Sequence, residues 1–300
     1  MNKLKGSNVL VNNMVDENKQ YKVLAWAFSF LKKYDREERV AELLLQHHLK
    51  VDRATFFTRM QEPVSPEVLS AFKADIKAHI QTGVPIQHLI GYEYFYGRKF
   101  YVNEHVLIPR METEELVYQV IENIKGIYKT DPVTIVDVGT GSGVIATTLA
   151  LEIPNANVVA IDISEKALTV AKENAAQHKA NITFYQGNFL QPMIEKGLKP
   201  EIIVSNPPYI SWQDEPGLSD TVKNFDPALA LFAKSNGLAA YQTIIKQIKS
   251  SLQQTEYIYF EIGYDQKEAI TSLCHQMFPE SNMECIQDIN GNDRIIAISL

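Results

Sequence analysis

Thr134-Ile135-Val136-Asp137-Val138-Gly139-Thr140-Gly141-Ser142-Gly143-Val144-Ile145-Ala146 decides the fold. A β-branched run of strand length passes directly into three glycines at alternate positions, which lead into an apolar helical segment ending near Ala150. Strand, glycine turn and helix in that order open a βαβ unit. Glycine at such a turn lets the backbone approach a ligand without Cβ interference and presents helix amides towards it. The spacing is G-x-G-x-G, and Val144 stands where the G-x-G-x-x-G dinucleotide fingerprint needs its third glycine. A nicotinamide oxidoreductase is therefore disfavoured.

Downstream, the runs Val158–Asp162, Ile182–Tyr185, Ile202–Ser205 and Tyr257–Ile262 alternate with helical segments and predict a parallel sheet. The last two runs, near Met283–Gln287 and Arg294–Ser299, are joined by a short Asn-Gly-Asn-Asp segment. That is too short for a parallel crossover, so an antiparallel edge hairpin is expected. Asp162 closes the second strand, where a carboxylate can accept from both ribose hydroxyls of an adenosine. It can also cap a helix starting near Ser164. After the third strand, Gly187-Asn188-Phe189 can set an amide and an aromatic face against adenine, although a loop aromatic serves equally well as core.

The fourth strand ends in Asn206-Pro207-Pro208-Tyr209. In an open α/β sheet, ligands bind beyond the carboxyl ends of the strands where their order reverses, so this tetrapeptide should face the glycine turn. An amide nitrogen is a poor nucleophile because its lone pair is delocalised into the carbonyl. Two acceptors, the Asn206 side-chain oxygen and the Pro207 carbonyl, can hold both of its N–H bonds and aim the lone pair at a sulfonium methyl group. Proline fixes the backbone and removes a competing donor, and Tyr209 offers a flat face to a planar group. None of these groups is a strong base, so catalysis mainly by positioning is expected, with the proton leaving after methyl transfer.

Upstream, Leu24, Ala27, Phe28 and Leu31, then Val40, Leu43, Leu44 and His47, recur at helical spacing. Ser65-Pro66-Glu67 is a helix start, and its stripe Leu69, Phe72, Ile76 and Ile80 ends at Gly83. Aromatic and β-branched residues from Tyr92 to Leu107, with Gly97 and Asn103 as turn signals, predict a short hairpin. With the boundary near residue 97, the expected organisation is a loose tail over 1–20, a helical domain over 21–96, a hairpin linker over 97–109 and a larger domain over 110–300. A chain of 300 residues accommodates two domains. The net charge of −7 gives no general attraction to nucleic acid phosphates. Cys274 and Cys285 lack partners at ligand spacing, so reduced core thiols are expected, with no metal and no disulfide. Neither a signal peptide nor a membrane span is visible, and a cytoplasmic protein is expected.

Together these residues closely resemble the release factor glutamine methyltransferases, the HemK/PrmC family. The likeness runs from about Tyr21 to Leu300 through Ala41–Leu45, Pro85–Gly91, Leu107–Arg110, Thr113-Glu114, Asp137–Gly143, Ser205–Ile210, Glu261–Gly263 and Gly291–Arg294. It implies an α/β fold, a seven-stranded doubly wound Rossmann-like class I methyltransferase core with an antiparallel C-terminal edge hairpin, and a small N-terminal α-helical bundle joined by a β-hairpin. It also implies S-adenosylmethionine as cofactor and, as substrate, the glutamine of the Gly-Gly-Gln loop of peptide chain release factors. Gly139, Thr140, Gly141, Ser142, Gly143, Asp162, Asn188, Phe189 and Asn206 would contact the cofactor. Asn206, Pro207, Pro208 and Tyr209 would hold the glutamine, and the helical domain would hold the factor. A monomer without direct nucleic acid binding is expected.

The sequence departs from the family pattern at Met111, Asn188 and Ala233–Gly237. Arg110 and Glu114 suit either a role at the pocket or a surface ion pair four residues apart. Tyr92, Tyr94, Phe95 and Tyr96 suit a docking stripe or packing, and His47 and His48 read as structural. The main competing function is an adenine amino-methyltransferase on DNA or RNA, since an exocyclic amine presents the same planar N–H₂ group. A scaffold protein that has lost catalysis would have no chemical reason to keep both acceptors.

Overall fold

Residues 18–300 are described in a computed structural model of the chain. Of the tail expected over 1–20, residues 1–17 lie outside the described residues. Lys19 bridges to Pro63, and Gln20 opens the first helix with its buried amide donating to the Phe56 carbonyl (2.8 Å). The chain divides into two compact units between Ile90 and Gly91.

The first unit is helical: α1 (Gln20–Lys33), α2 (Arg39–Leu49), α3 (Arg53–Thr58), α4 (Pro66–Thr82) and α5 (Ile86–Ile90). Val23, Leu24, Ala27 and Leu31 line one stripe of α1 and share a core with Leu44, Leu45, Phe72 and Ile76. Ser65 caps α4 by accepting from the Val68 amide (3.3 Å), and Gly83 ends it at φ 78°. The His48 ring pairs with Asp75 (2.7 Å), linking α2 to α4, which is a structural role.

The second unit opens with a hairpin, β1 (Tyr92–Phe95) and β2 (Arg98–Tyr101). Its turn is Tyr96-Gly97, at φ 51° and 71°, the two positive values that suit the twist of a two-residue hairpin. Phe95 packs buried against Phe100 while Tyr94 is exposed, so the aromatic stripe splits between two faces. The hairpin is fastened to this unit by Asn174, which lies completely buried: its Oδ1 accepts from Tyr101 N (2.7 Å), and its Nδ2 donates to Tyr101 O and Ser142 O (2.9 Å each).

The core follows as α6 (Met111–Ile127), β3 (Val133–Val138), α7 (Val144–Glu152), β4 (Ala156–Asp162), α8 (Glu165–His178), β5 (Ile182–Gln186), α9 (Gln191–Glu195) and β6 (Ile202–Ser205). An insertion then carries β7 (Ile210–Ser211), a 3-10 turn (Trp212–Gly217), α10 (Asp220–Phe225), α11 (Ala228–Leu231) and β8 (Phe232–Ala233). The chain ends with α12 (Ala239–Ser251), β9 (Tyr257–Glu261), α13 (Lys267–Met277), β10 (Asn282–Gln287) and β11 (Asp293–Ser299).

The seven-stranded sheet has the order β10-β11-β9-β6-β3-β4-β5. β3 pairs in parallel with both β4 and β6, so the strand order reverses there. Alternate residues of β3 feed the two faces: Val133 and Ile135 join α6 and α7, whereas Val136 and Val138 join α12 and α13. The C-terminal pair is the expected antiparallel hairpin, with β11 between β10 and β9. Cys274 is buried as expected, but Cys285 lies half-buried on the edge strand, because only one face of an edge strand is covered; both thiols are free.

Candidate active site

Two turns converge where β3 and β6 end. After β3, the amides of Gly139 and Thr140 donate to the Ile161 carbonyl (2.8 and 2.9 Å), tying the glycine turn to β4. The Asp162 carboxylate accepts from Gly141 N (2.9 Å) and Ser164 N (2.8 Å). Ser164, not Asp162, caps α8, through a bond from Ala167 N (3.2 Å). Burial raises the pKa of Asp162, opposed by the amides of Ser164 and Gly141. Below the turn lies the fully buried Asp137, whose Oδ2 accepts from the Thr140 hydroxyl (2.6 Å) and Ala146 N (3.2 Å). Burial pushes this carboxyl up to about 7.

The wall beyond β5 is Asn188-Phe189. Phe189 holds φ 53°, a left-handed value that non-glycine residues keep only when their surroundings fix it. Gln247 of α12 provides the fixing: its Oε1 accepts from Leu190 N (2.9 Å) and its Nε2 donates to the Asn188 carbonyl (3.3 Å). Phe189 packs on the core cluster of α12 and also lines the cavity. The insertion adds Pro227, Leu229, Ala230 and Phe232 to the wall, with Trp212 stacked on Phe232 (centroids 4.3 Å, 20°). Arg110 reaches across to Asp226 (2.8 Å), while Glu114 accepts from Tyr96 N (2.8 Å) at the hairpin turn. Of the two readings open for Arg110 and Glu114, the mutual ion pair does not form, because each side chain has a better-placed partner outside its helix.

At the end of β6, the buried Ser205 hydroxyl donates to the Val138 carbonyl (2.6 Å), joining the two strand ends. Asn206 Nδ2 donates to the Thr113 hydroxyl (3.1 Å), which donates in turn to Glu261 Oε2 (2.6 Å). The Tyr209 carbonyl accepts from Gln266 Nε2 (2.9 Å). A Cβ on Gly237 would lie 2.1 Å from that same carbonyl oxygen, so the Ala233–Gly237 loop needs glycine there for close backbone approach. Burial pushes the Tyr209 hydroxyl up to about 12.

The resulting cavity measures about 380 Å³ and is lined by Gly139–Ser142, Asp162, Asn188, Phe189, Asn206 and Pro208. The glycine turn, with Asn206 and Pro208 of the tetrapeptide, thus lines one space. Three expected contacts lie off this wall. Gly143 instead lets α7 start against α8, where a Cβ would meet Ala171 Cβ at 2.9 Å. Pro207 is buried, and Tyr209 borders a second recess of about 230 Å³ with Arg110, Glu112, Glu261 and Arg294.

The lining fits S-adenosylmethionine. A volume above roughly 300 Å³ accommodates a small-molecule ligand. A carboxylate sits at the end of β4 for hydroxyl groups, and the lining has no lysine and one arginine, Arg110, which is paired with Asp226. That set suits a nucleoside without phosphates. Sequence reasoning missed Thr113, Asp137, Asn174, Gln247, Glu261 and the insertion as parts of this site. A carboxylate at or just before the end of an otherwise apolar strand was the available signal for Asp137 and Glu261.

The PrmC N-terminal domain family matches residues 22–91, and the Methyltransferase domain family matches residues 129–294. A release factor glutamine methyltransferase of Bacillus cereus is 44% identical over 276 residues, covering 92% of this chain and 97% of the relative. The Bacillus subtilis protein of that name is 43% identical, covering 92% and 96%. Among solved structures, the catalytic domain of hMettl16 in complex with a MAT2A 3'UTR hairpin has a TM-score of 0.54 at 13% identity, covering 78% of this chain and 82% of that one. The N-terminal domain of human METTL16 in complex with SAH has a TM-score of 0.50 at 14% identity, covering 96% of each chain. Identities this low speak for the shared fold alone.

Proposed function

Because the chain belongs to the release factor glutamine methyltransferases, we propose that it transfers a methyl group from S-adenosylmethionine to the side-chain amide nitrogen of the glutamine in the Gly-Gly-Gln motif of peptide chain release factors. The observation that carries this reading is that the glycine turn and two residues of the tetrapeptide, Asn206 and Pro208, line the same cavity. When bound, S-adenosylmethionine supplies an electrophilic methyl group on a sulfonium sulfur. Asp162 and the backbone of Gly139–Ser142 hold the nucleoside part, with Asn188 and Phe189 at the base. Asn206 Oδ1 and the Pro207 carbonyl accept the two N–H bonds of the target. These residues orient and localise a lone pair, which contributes through geometry and not through a base. The nitrogen gains the methyl group as the sulfur–methyl bond breaks, and its surplus proton then passes to water.

Among the described residues no helix is long and apolar enough to cross a membrane. We place the protein in the cytoplasm, as a monomer that binds its protein substrate without contacting nucleic acid directly. Incubation of an unmodified release factor with the protein and S-adenosylmethionine, followed by mass spectrometry, should show one added methyl on the Gly-Gly-Gln glutamine. A folded factor that stays unmodified while an adenine-containing oligonucleotide becomes labelled would instead favour the amino-methyltransferase reading.

A further inference from the structure

A carboxamide has an acceptor at one end and a donor at the other, in groups of nearly equal shape. Only one orientation of Asn206 offers an acceptor to a target N–H, so something must distinguish the two. We propose that Glu261, acting through Thr113, positions the Asn206 carboxamide so that its oxygen faces the target amide. This rests on the reading that Asn206 holds that amide.

The hydrogen-bond chain has a direction. Glu261 Oε2 takes the Thr113 hydroxyl proton at 2.6 Å, and the Thr113 oxygen, with its proton committed, accepts from Asn206 Nδ2 at 3.1 Å. An ionised carboxylate has no proton to give, so the amide nitrogen is held at the back and the oxygen is left to face the ligand. Glu261 and Thr113 are 2% and 4% exposed, and a carboxylate withdrawn so far from water is costly unless its hydrogen bonds serve it. The fold itself does not call for that charge. β9 is held by its ladders to β6 and β11, and Arg294 hydrogen-bonds Asp288 (3.2 Å) and the Ile262 carbonyl (3.0 Å).

The groups around Glu261 come from several elements. Thr113 and Glu112 belong to α6, with Arg110 just before it; Asn206 and Tyr209 follow β6; Arg294 belongs to β11. The Tyr241 hydroxyl of α12 donates to the Glu261 backbone carbonyl (2.7 Å). Burial, with Glu112 acting the same way, pushes the Glu261 carboxyl up to about 7 against Thr113, Arg294 and Asn206. Once protonated, Glu261 becomes a donor to Thr113. The Thr113 hydroxyl then turns its proton towards Asn206, draws the carboxamide oxygen back, and leaves an N–H₂ group facing the target N–H₂. Activity therefore falls as pH drops through the Glu261 titration.

The test measures kcat and KM on an unmodified release factor from about pH 6 to about pH 9. Wild type is compared with Thr113→Val, Thr113→Ser and Glu261→Gln, with S-adenosylmethionine affinity measured by calorimetry as the check on folding. Thr113→Val should lower kcat/KM about 10²-fold at the alkaline end, the scale of a misplaced reacting group, with cofactor affinity within about twofold. Thr113→Ser should restore most of it. Glu261→Gln should lose activity and also the acid limb, since glutamine does not titrate. If Thr113→Val binds cofactor poorly, the Thr113→Ser and Glu261→Gln profiles still decide. An active wild type with unchanged kcat/KM in Thr113→Val, or with the acid limb intact in Glu261→Gln, overturns the positioning proposal alone. A wild type that leaves the factor unmethylated overturns the functional reading, and this proposal with it.

Discussion

Replacing Asn174 by alanine tests how the hairpin and the glycine turn are held together. The side chain makes three hydrogen bonds, one accepted from Tyr101 N and two donated, to Tyr101 O and to Ser142 O. Removing it strands a carbonyl at Ser142, which is 3% exposed, whereas Tyr101, at 39%, lies where water can reach. A stranded buried carbonyl costs about 1–3 kcal/mol, and each of the two more accessible bonds about 0.5–1 kcal/mol, giving about 3 kcal/mol in total. At about 2–4 °C per kcal/mol for a unit of this size, the midpoint should fall by about 6–12 °C in calorimetry. Asn174→Asp should be at least as damaging, because it keeps the acceptor for Tyr101 N but sets a carboxylate against two carbonyl oxygens. S-Adenosylmethionine affinity should weaken as well, since Ser142 belongs to the cavity wall. A midpoint shift below about 2 °C for alanine, or a milder effect from aspartate, would refute the assignment of Asn174 as the fastening.

Asn206→Ala should reduce kcat by about 10²-fold or more while changing cofactor affinity by less than about threefold, measured by steady-state kinetics and calorimetry; equal losses in both would contradict positioning. Asp162→Ala should weaken S-adenosylmethionine binding about 10²-fold by calorimetry, because the carboxylate proposed to accept the two ribose hydroxyls is lost. Gly237→Ala should destabilise by about 2–4 kcal/mol in thermal unfolding and raise KM for the release factor, because φ is +84° and the new Cβ meets the Tyr209 carbonyl oxygen. Asp137 has a folded pKa raised to about 7 from 3.8, so its contribution to stability is full at pH below about 4 and is lost as pH rises towards 7. Thermal midpoints of wild type and Asp137→Asn across that window should therefore diverge in favour of the variant as pH rises.

Much of the sheet was legible because its central strands β3, β6 and β9 are buried on both faces and read as continuous apolar runs, and because the turns after β3 and β6 carry residues with few other uses. The edge hairpin followed from the shortness of its connection. What was not legible depends on long-range juxtaposition. Nothing near Asn174 in the sequence points to Tyr101, and Thr113, Asn206 and Glu261 meet only once α6, β6 and β9 are assembled. A pair between Arg110 and Glu114 stayed open beside a pocket role because helical spacing was the only geometry available, whereas the folded chain offered Asp226 and Tyr96 N. The hairpin turn was signalled by Gly97, but Tyr96, not the usual asparagine, takes its first left-handed position. The insertion from β7 to β8 has no strong periodicity, and only the unusual length between β6 and α12 hinted at it.

The Ser205 hydroxyl on the Val138 carbonyl has a wider consequence. With the ladder between β3 and β6, it ties the ends of the two strands together from inside the sheet and not from the loops above. Loosening of the insertion by heat should therefore change how often the pocket is filled, while a filled pocket keeps the same reach for methyl transfer until the sheet itself melts.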